Sequence, residues 1–287
     1  MAYKIAIDAG HGSNTAGKRT PNGWLEHYTN VKCANYFDIA MRRCGFETVK
    51  IAWDDINSKD DADVSLATRQ SQIRNSKCDI SVSWHANAFG DGKSYNASQG
   101  VETLIHNNSV KVKDSGSLAI KVQNYLVKGT HQKNRGVKAA NLAMCNCVAM
   151  GTKASILIEI GFMTNKYEAQ LIQSDSFCLE CAEEAAQGVC EYFGVTYVKP
   201  NNQSSTSNSS AFFITILPFC NPLVEYKLTQ VADILFTSTT SNKYFSSLSP
   251  SIPRRFPIFI SVLDKIISME ISLIVIILPI CIIFTFF

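Results

Sequence analysis

The chain has 287 residues, of which 46% are hydrophobic and 18% are charged, and its formal net charge is +3. This length allows one large domain or two, and so small a charge argues against a nucleic-acid partner. Residues 1–200 carry 22 Lys and Arg and 20 Asp and Glu, whereas residues 201–287 carry 5 and 4, so an ordinary globular domain is expected only in the first part.

Apolar runs and polar loops alternate along the first 200 residues. Continuous apolar runs predict buried strands, and spaced apolar positions predict helices between them. We expect strands over 3–8, 46–53, 79–84, 101–106 and 155–160, with a further short strand over 142–145. We expect helices over 26–44, 64–76 and 114–127, and one or two within 165–193. Polar loops are expected over 12–25 and 87–100. This alternation indicates an α/β fold with a mostly parallel, twisted sheet covered by helices on both faces.

The character of the sequence changes near residue 198. A polar segment rich in Ser and Asn predicts a linker over 198–210, which separates a domain over 1–197 from an atypical hydrophobic tail over 211–287. The uncharged run 271–287 is near the lower limit for a membrane span. Three interpretations stay open, namely a membrane-associated anchor, a disordered segment, and a segment translated from a shifted reading frame.

Eight of the ten cysteines lie within residues 1–200. No signal peptide precedes the first strand, so these thiols are expected to be reduced and buried as small apolar side chains. Cys178 and Cys181 have the spacing of half a zinc site, but no second pair matches them and they fall in a predicted helix.

Two histidines and two glutamates lie where strands end or helices begin. His11 follows the first strand, Glu26 opens a helix, His85 follows Trp84, and Glu159 follows Ile158. In α/β sheets, binding sites form outside the carboxyl ends of strands. Each residue alone is more often a hydrogen-bonding or capping group, but the four together indicate a metal-dependent hydrolase.

A catalytic zinc takes three N or O ligands and keeps one position open. His11, Glu26 and His85 would supply such a His₂Glu set, and the metal would acidify a water molecule and polarise a carbonyl. Glu159 would carry the proton to the leaving amine, since burial after an apolar strand raises its pKa. His27 is an alternative ligand to Glu26 because the two are adjacent.

Other polar residues have lesser expected roles. His106 and His131 are expected to be structural or peripheral. Arg135 lies in the polar run 133–138, which is expected to be a solvated loop, although its guanidinium could hold a substrate carboxylate.

Five segments in the first 195 residues resemble the zinc-dependent N-acetylmuramoyl-L-alanine amidases, the catalytic domains of many phage endolysins and bacterial autolysins. The resemblance is carried, in chain order, by Ile7–Gly12, Glu26, Ser83–Asn87, Asn134–Lys138 and Ile156–Asn165. Five collinear motifs make a specific signal, whereas the Gly10–His11 pair alone would be weak.

The resemblance implies a sheet of about six strands and cleavage of the amide between N-acetylmuramic acid and L-alanine of peptidoglycan by a zinc-activated water. It also implies that His11, Glu26 and His85 bind zinc and that Glu159 is catalytic; we further expect Asn87 and Arg135 to contact substrate. With no export signal, the chain would resemble endolysins that stay in the cytoplasm until their release to the wall. The family usually carries a wall-binding module after the catalytic domain, and 211–287 does not look like one.

Two other functions remain open at this stage. The same metal and carboxylate could serve a zinc endopeptidase that cuts within the stem peptide. A hydrophobic run over 271–287 without a wall-binding module could instead belong to a non-catalytic, membrane-tethered wall-binding protein.

Overall fold

The computed structural model describes residues 2–107 and 112–200, which form a six-stranded sheet with helices on both faces. The strand order is β2-β1-β3-β6-β4-β5. The strands are β1 (Lys4–Ala9), β2 (Glu47–Ile51), β3 (Ile80–Asn87), β4 (Val101–His106), β5 (Asn134–Ala140) and β6 (Ala154–Phe162). The expected α/β class and six-stranded sheet are confirmed.

The described residues also form six α-helices and one 3₁₀ turn, and the last two helices follow the last strand. They are α1 (Glu26–Arg43), α2 (Leu66–Ser76), α3 (Val112–Thr130), α4 (Cys147–Met150), α5 (Glu168–Leu171) and α6 (Asp175–Phe193), with the 3₁₀ turn at Ala143–Cys145. Ser65 and Ser174 cap α2 and α6 by accepting a backbone N–H, and Gly194 ends α6 in a left-handed conformation. Serine caps and a terminal glycine are the usual sequence signals of helix ends.

The sheet is parallel except at one pair of strands. β6 pairs with β3 in parallel but with β4 antiparallel, and β5 is parallel to β4. The carboxyl ends of β1, β3 and β6 therefore share one edge of the sheet with the amino ends of β4 and β5. We call this the site edge.

The two faces of the sheet are covered differently. Helices α1, α3 and α6 pack on one face over the larger core, which includes Ile5, Ile7, Val82, Trp84 and Ile158. The other face carries α2, α4 and the 3₁₀ turn over a smaller cluster. We call these the core face and the site face.

Two expectations for local structure are wrong. The predicted strand at 142–145 is the 3₁₀ turn, because four apolar residues carry too little periodicity to separate strand from helix. All but the first residue of the expected loop at 133–138 belong to β5, whose ladder with β4 holds them extended despite their polar composition.

The expectation for the cysteines is met. All eight cysteines of residues 1–200 are buried and unpaired, and Cys178 and Cys181 lie in α6. No helix within the described residues is long and apolar enough to cross a membrane. The tail predicted over 211–287, with its run 271–287, and almost all of the linker predicted over 198–210 lie outside the described residues.

Candidate metal and catalytic site

His11, Glu26 and His85 come together at the site edge. His11 lies two residues after the end of β1, Glu26 is the first residue of α1, and His85 is the third residue from the end of β3. One donor atom from each lies within 4.8 Å of the other two. His11 Nε2 is 3.2 Å from Glu26 Oε2, and His85 Nδ1 is 3.1 Å from Glu26 Oε1. This is the trio expected from the sequence.

The donor set fits a divalent metal. A tetrahedral zinc with bonds of about 2.1 Å separates its ligand atoms by about 3.4 Å, close to the two Glu26 distances. Glu26 Oε2 is buried and lies next to His11 Nε2, whereas Oε1 lies next to His85 Nδ1, so the carboxylate presents one oxygen to each imidazole. Two imidazoles and one carboxylate are ligands that zinc prefers.

Glu26 is held as an anion. Burial raises the pKa of Glu26, but the neighbouring His11 and His85 rings together lower it more, so that its pKa lies well below the ordinary range. Its Oε1 also accepts the backbone N–H of Ala86 at 3.1 Å and the side-chain amide of Asn30 at 3.4 Å. Such outer hydrogen bonds orient a ligating carboxylate.

Gly10 makes room for the two imidazoles. A Cβ on Gly10 would lie 2.2 Å from the His85 ring, which is closer than atoms can pack. The His11 and His85 rings meet edge to face with centroids 4.9 Å apart. Only glycine can therefore precede His11 while His85 keeps this position.

A buried arginine holds the backbone of His11. His11 adopts a left-handed φ of 64°, which side chains with a Cβ rarely take. Arg69 of α2, only 1% exposed, donates to His11 O and Ala9 O, both at 2.6 Å, and forms an ion pair with Asp8 at 2.8 Å. Its remaining donors reach Val64 O and Asp63 Oδ1. Hydrogen bonds from Arg69 thus hold the backbone at His11 in its left-handed conformation.

His27 does not join the donor group. Its ring is fully buried, with Nδ1 2.9 Å from Gly10 O and Nε2 3.0 Å from Asp61 Oδ2. The alternative ligand is therefore wrong: because successive helical residues point about 100° apart, His27 turns into the fold while Glu26 faces the site. His106 at the end of β4 and His131 between α3 and β5 also lie outside the donor group.

Glu159 lies beside the metal donors in the sheet. It is paired directly with His85 on the neighbouring parallel strand, so both side chains project from the site face about 4.8 Å apart along the sheet. Its Oε2 is buried without a hydrogen-bond partner in the described residues. Burial, followed by the charges of Glu26 and Glu102, raises the pKa of Glu159 well above its ordinary value.

Glu102 continues the row of paired residues beyond Glu159. The two are directly opposed on antiparallel strands. Glu102 accepts hydrogen bonds from Asn87 Nδ2 at 2.9 Å, Arg135 Nε at 2.5 Å and Lys138 Nζ at 2.5 Å. Sequence reasoning named Asn87 and Arg135 but missed Glu102 and Lys138; a charged residue inside the apolar run Val101–His106 was the available signal.

A cleft of about 290 Å³ opens beside the donors. Its lining includes His11, His85, Asp63, Leu66 and Met144, from β1, β3 and the elements of the site face. His11 and His85 are therefore reachable from solvent on this face, whereas Glu26 is buried behind them.

Comparisons with known proteins agree with this geometry. The model of the family described as N-acetylmuramoyl-L-alanine amidase matches residues 5–191. The chain is 30% identical to an N-acetylmuramoyl-L-alanine amidase from Clostridium difficile 630 of known structure, with a TM-score of 0.59 over 67% of this chain and 97% of that one. It is 28% identical to the endolysin of Bacillus phage SPP1, covering 67% of this chain and 66% of the relative. It is 25% identical to the amidase AmiC of Neisseria meningitidis, covering 68% and 54%. The chain thus spans about half to two thirds of the last two relatives.

Proposed function

The chain belongs to the N-acetylmuramoyl-L-alanine amidase family, and we propose that His11, Glu26 and His85 hold a zinc ion while Glu159 carries the proton in the hydrolysis that this family performs. The bond is the amide between N-acetylmuramic acid and L-alanine of peptidoglycan. The observation that carries the assignment is the convergence of the three donor atoms within 4.8 Å beside Glu159, whose buried Oε2 has no hydrogen-bond partner in the described residues.

The donor residues prepare the site for the metal. Zinc bound there would lower the pKa of a water molecule to about 7 and polarise the scissile carbonyl. Glu26 is ionised by its surroundings, and the backbone of Ala86 fixes its orientation. Arg69 keeps His11 in its left-handed turn, so the imidazole needs no rearrangement before it binds.

Glu159 is placed to move the proton. Its unpartnered Oε2 would accept a proton from the attacking water and return it to the nitrogen of the departing L-alanine. Burial raises the pKa of Glu159 well above its ordinary value, which makes the carboxylate a stronger acceptor for a proton from water. Asn87, at the end of β3, and Arg135 would contact the substrate beside it, and residues 1–197 would form the catalytic domain.

The test is metal content and digestion of purified cell wall by the full chain. We expect about one zinc per chain and release of intact stem peptides with a free L-alanine amine, identified by mass spectrometry. His85→Ala should lose both metal and activity, whereas Glu159→Ala should keep the metal and lose activity. His106→Ala is the matched histidine control and should retain both.

Each part of the proposal has its own contrary result. A wild-type chain without zinc would refute the ligand set, and an active Glu159→Ala with zinc bound would refute the proton carrier. Products cut within the stem peptide would make the enzyme an endopeptidase.

A role as a phage or prophage endolysin is the biological part of the proposal. Its support is the similarity to the SPP1 endolysin. If the chain waits in the cytoplasm, cells that express it should lyse only after their membrane is permeabilised, and lysis should require His85. Lysis without permeabilisation would contradict this role.

A further inference from the structure

The site face continues past Glu159 as an ordered row of paired positions. His85 is opposite Glu159 on β3 and β6, and Glu159 is opposite Glu102 on β6 and β4. On β5, the register shifts between Val101 and Thr103, which places Arg135 beside Glu102, and Lys138 is paired with Leu104. The metal donors, the catalytic carboxylate and two cations therefore follow one another across adjacent strands.

Glu102 neutralises only one of the two positive charges of Arg135 and Lys138. One carboxylate accepts from both Arg135 and Lys138, which leaves one net positive charge among the three side chains. These two cations hold the pKa of Glu102 below its ordinary value even though burial raises it, so Glu102 stays ionised. The side chains of Glu102, Arg135 and Lys138 thus sum to one positive charge, and Glu168 is a further carboxylate close enough to Arg135 to interact with it.

Part of that charge faces solvent. The side chains of Arg135 and Lys138 are 28% and 42% exposed, whereas that of Glu102 is 7% exposed. Arg135 binds Glu102 through Nε, its Nη1 contacts Gln99 O at 3.4 Å, and its Nη2 makes no hydrogen bond to the described part of the chain. The guanidinium carbon of Arg135 lies over the ring of Phe162, 4.7 Å from its centroid, in a cation–π contact. Guanidinium nitrogens arranged in this way suit a carboxylate.

The distance from the catalytic carboxylate matches an extended peptide. β5 lies two strand spacings from β6, or about 10 Å. An extended peptide advances about 3.3–3.6 Å per residue, so a chain that starts at the scissile amide reaches β5 with its second or third residue. Glycan on the other side of the amide would extend toward the metal side of the row.

Resting on the proposed function, we propose that Arg135 and Lys138 form a subsite for a carboxylate of the stem peptide, two or three residues beyond the scissile bond. The subsite would make the enzyme discriminate walls by the charge of their stem peptides. Glu102 would position the two cations, and Phe162 would support the arginine.

The experiment compares two soluble muropeptides that are identical except at the stem residues beyond L-alanine. One bears free carboxylates there, and the other bears carboxamides. We expect the wild-type chain to cleave the acidic substrate with a kcat/KM about tenfold higher, as is typical of a hydrogen bond to a charged group. The preference should shrink as the salt concentration rises.

Lys138→Met should reduce this preference to less than about threefold by slowing only the acidic substrate. Lys153→Met is the matched control, because it removes the same charge immediately before β6, at the opposite edge of the sheet. It should keep the full preference. Arg135→Gln is a second variant for the same measurement, so that a folding defect in one variant does not decide the outcome.

The outcomes separate the subsite from the proposed function. Equal cleavage of both substrates by the wild type overturns the subsite but leaves the amidase function intact, as does a preference that survives in both variants. Cleavage of neither substrate refutes the proposed function, and the subsite with it. Loss of preference in Lys138→Met and Arg135→Gln, with Lys153→Met unchanged, supports the subsite.

Discussion

The core face and the site face of one sheet are built from the same strands but contain different chemistry. On the core face, Ile156, Ile158 and Trp84 are buried beneath α1, α3 and α6. On the site face, the alternate positions include Ser83, His85 and Glu159 under shorter elements. Because successive strand residues point to opposite faces, one residue can contribute to the packed core while its neighbour in sequence faces the proposed active site. Stability and catalysis should therefore be separable by moving one residue along a strand.

The largest effect is expected at Glu159 on the site face. Glu159→Gln should lower kcat about 10²- to 10⁴-fold, which is the range of general acid–base catalysis. The melting temperature should not fall, since glutamine has nearly the same shape and Glu159 Oε2 makes no hydrogen bond to the described residues that the change would break. Activity on cell wall and a thermal melt measure the two. Glu191→Gln on α6 is the control, and a Glu159→Gln variant within tenfold of wild type would break the comparison.

The dependence of activity on pH should report the titration of the Glu159 carboxylate. Glu159 must be ionised to accept a proton, and its raised pKa keeps it protonated at pH values where an ordinary glutamate is already ionised. Activity should therefore fall about tenfold per unit as pH decreases through that raised pKa, giving an acid limb above pH 4.5. Glu102→Gln removes a neighbouring negative charge and should move the limb to lower pH. A limb at or below 4.5 in the wild type would contradict the assignment.

Arg69 is expected to contribute both to stability and to zinc binding. Arg69→Met leaves Asp8 buried without its ion-pair partner and should cost about 3–5 kcal/mol of unfolding free energy. It also frees the His11 backbone and should weaken zinc binding about 10- to 100-fold. Chemical denaturation and zinc titration of the folded chain report these separately. Arg74→Met, on the exposed side of the same helix, removes hydrogen bonds to Val148 O and Ala149 O but should not change zinc affinity. Unchanged zinc affinity in Arg69→Met would limit Arg69 to a structural role.

Glu168 ties together segments next to the site edge. Its carboxylate accepts the backbone N–H groups of Gly100 and Phe162, both at 2.8 Å, and the amide of Gln132 at 3.0 Å. Glu168→Gln directs an amide donor at these donors and should cost about 1–3 kcal/mol. Thermal and chemical unfolding test this, with Glu180→Gln on α6 for comparison. A stability equal to wild type would show that the segments are held by other contacts.

The smallest effect is expected one residue from Glu159. Ile158 is fully buried on the core face, and Ile158→Val should cost about 0.5–1.5 kcal/mol of stability. The kcat per folded molecule should stay unchanged, because the deleted methyl group lies on the opposite side of the sheet. A loss of kcat well beyond the loss of folded protein would show that the two faces are coupled.

Much of the site edge was predictable because parallel strands follow a simple rule. His11, His85 and Glu159 each come at or near the carboxyl end of an apolar run, and such ends share one edge. Glu26 was predictable as the opening residue of a helix after a glycine-containing loop. Local sequence was sufficient for these residues because each belongs to a strongly patterned element.

The rest depends on contacts between distant segments. β4 runs antiparallel to β6, and nothing local in its sequence indicates that its amino end, with Glu102, reaches the site edge. β5 is polar and is held extended by its partner strand, so Arg135 was expected in a loop. Arg69 lies in a helix whose apolar pattern is weak, and only the folded structure shows that its guanidinium passes beneath His11.

The order of the strands along the chain differs from their order in the sheet, so the proposed site residues are synthesised at different times. The three proposed metal ligands lie within the first 85 residues, just after β1, at the start of α1 and on β3, whereas β6 begins 69 residues after His85 and lies between β3 and β4 in the sheet. A nascent chain that ends after β4 thus contains every proposed zinc ligand but lacks the proton carrier. The residues proposed to bind the metal are therefore synthesised well before the residue proposed to move the proton, which the last strand along the chain supplies.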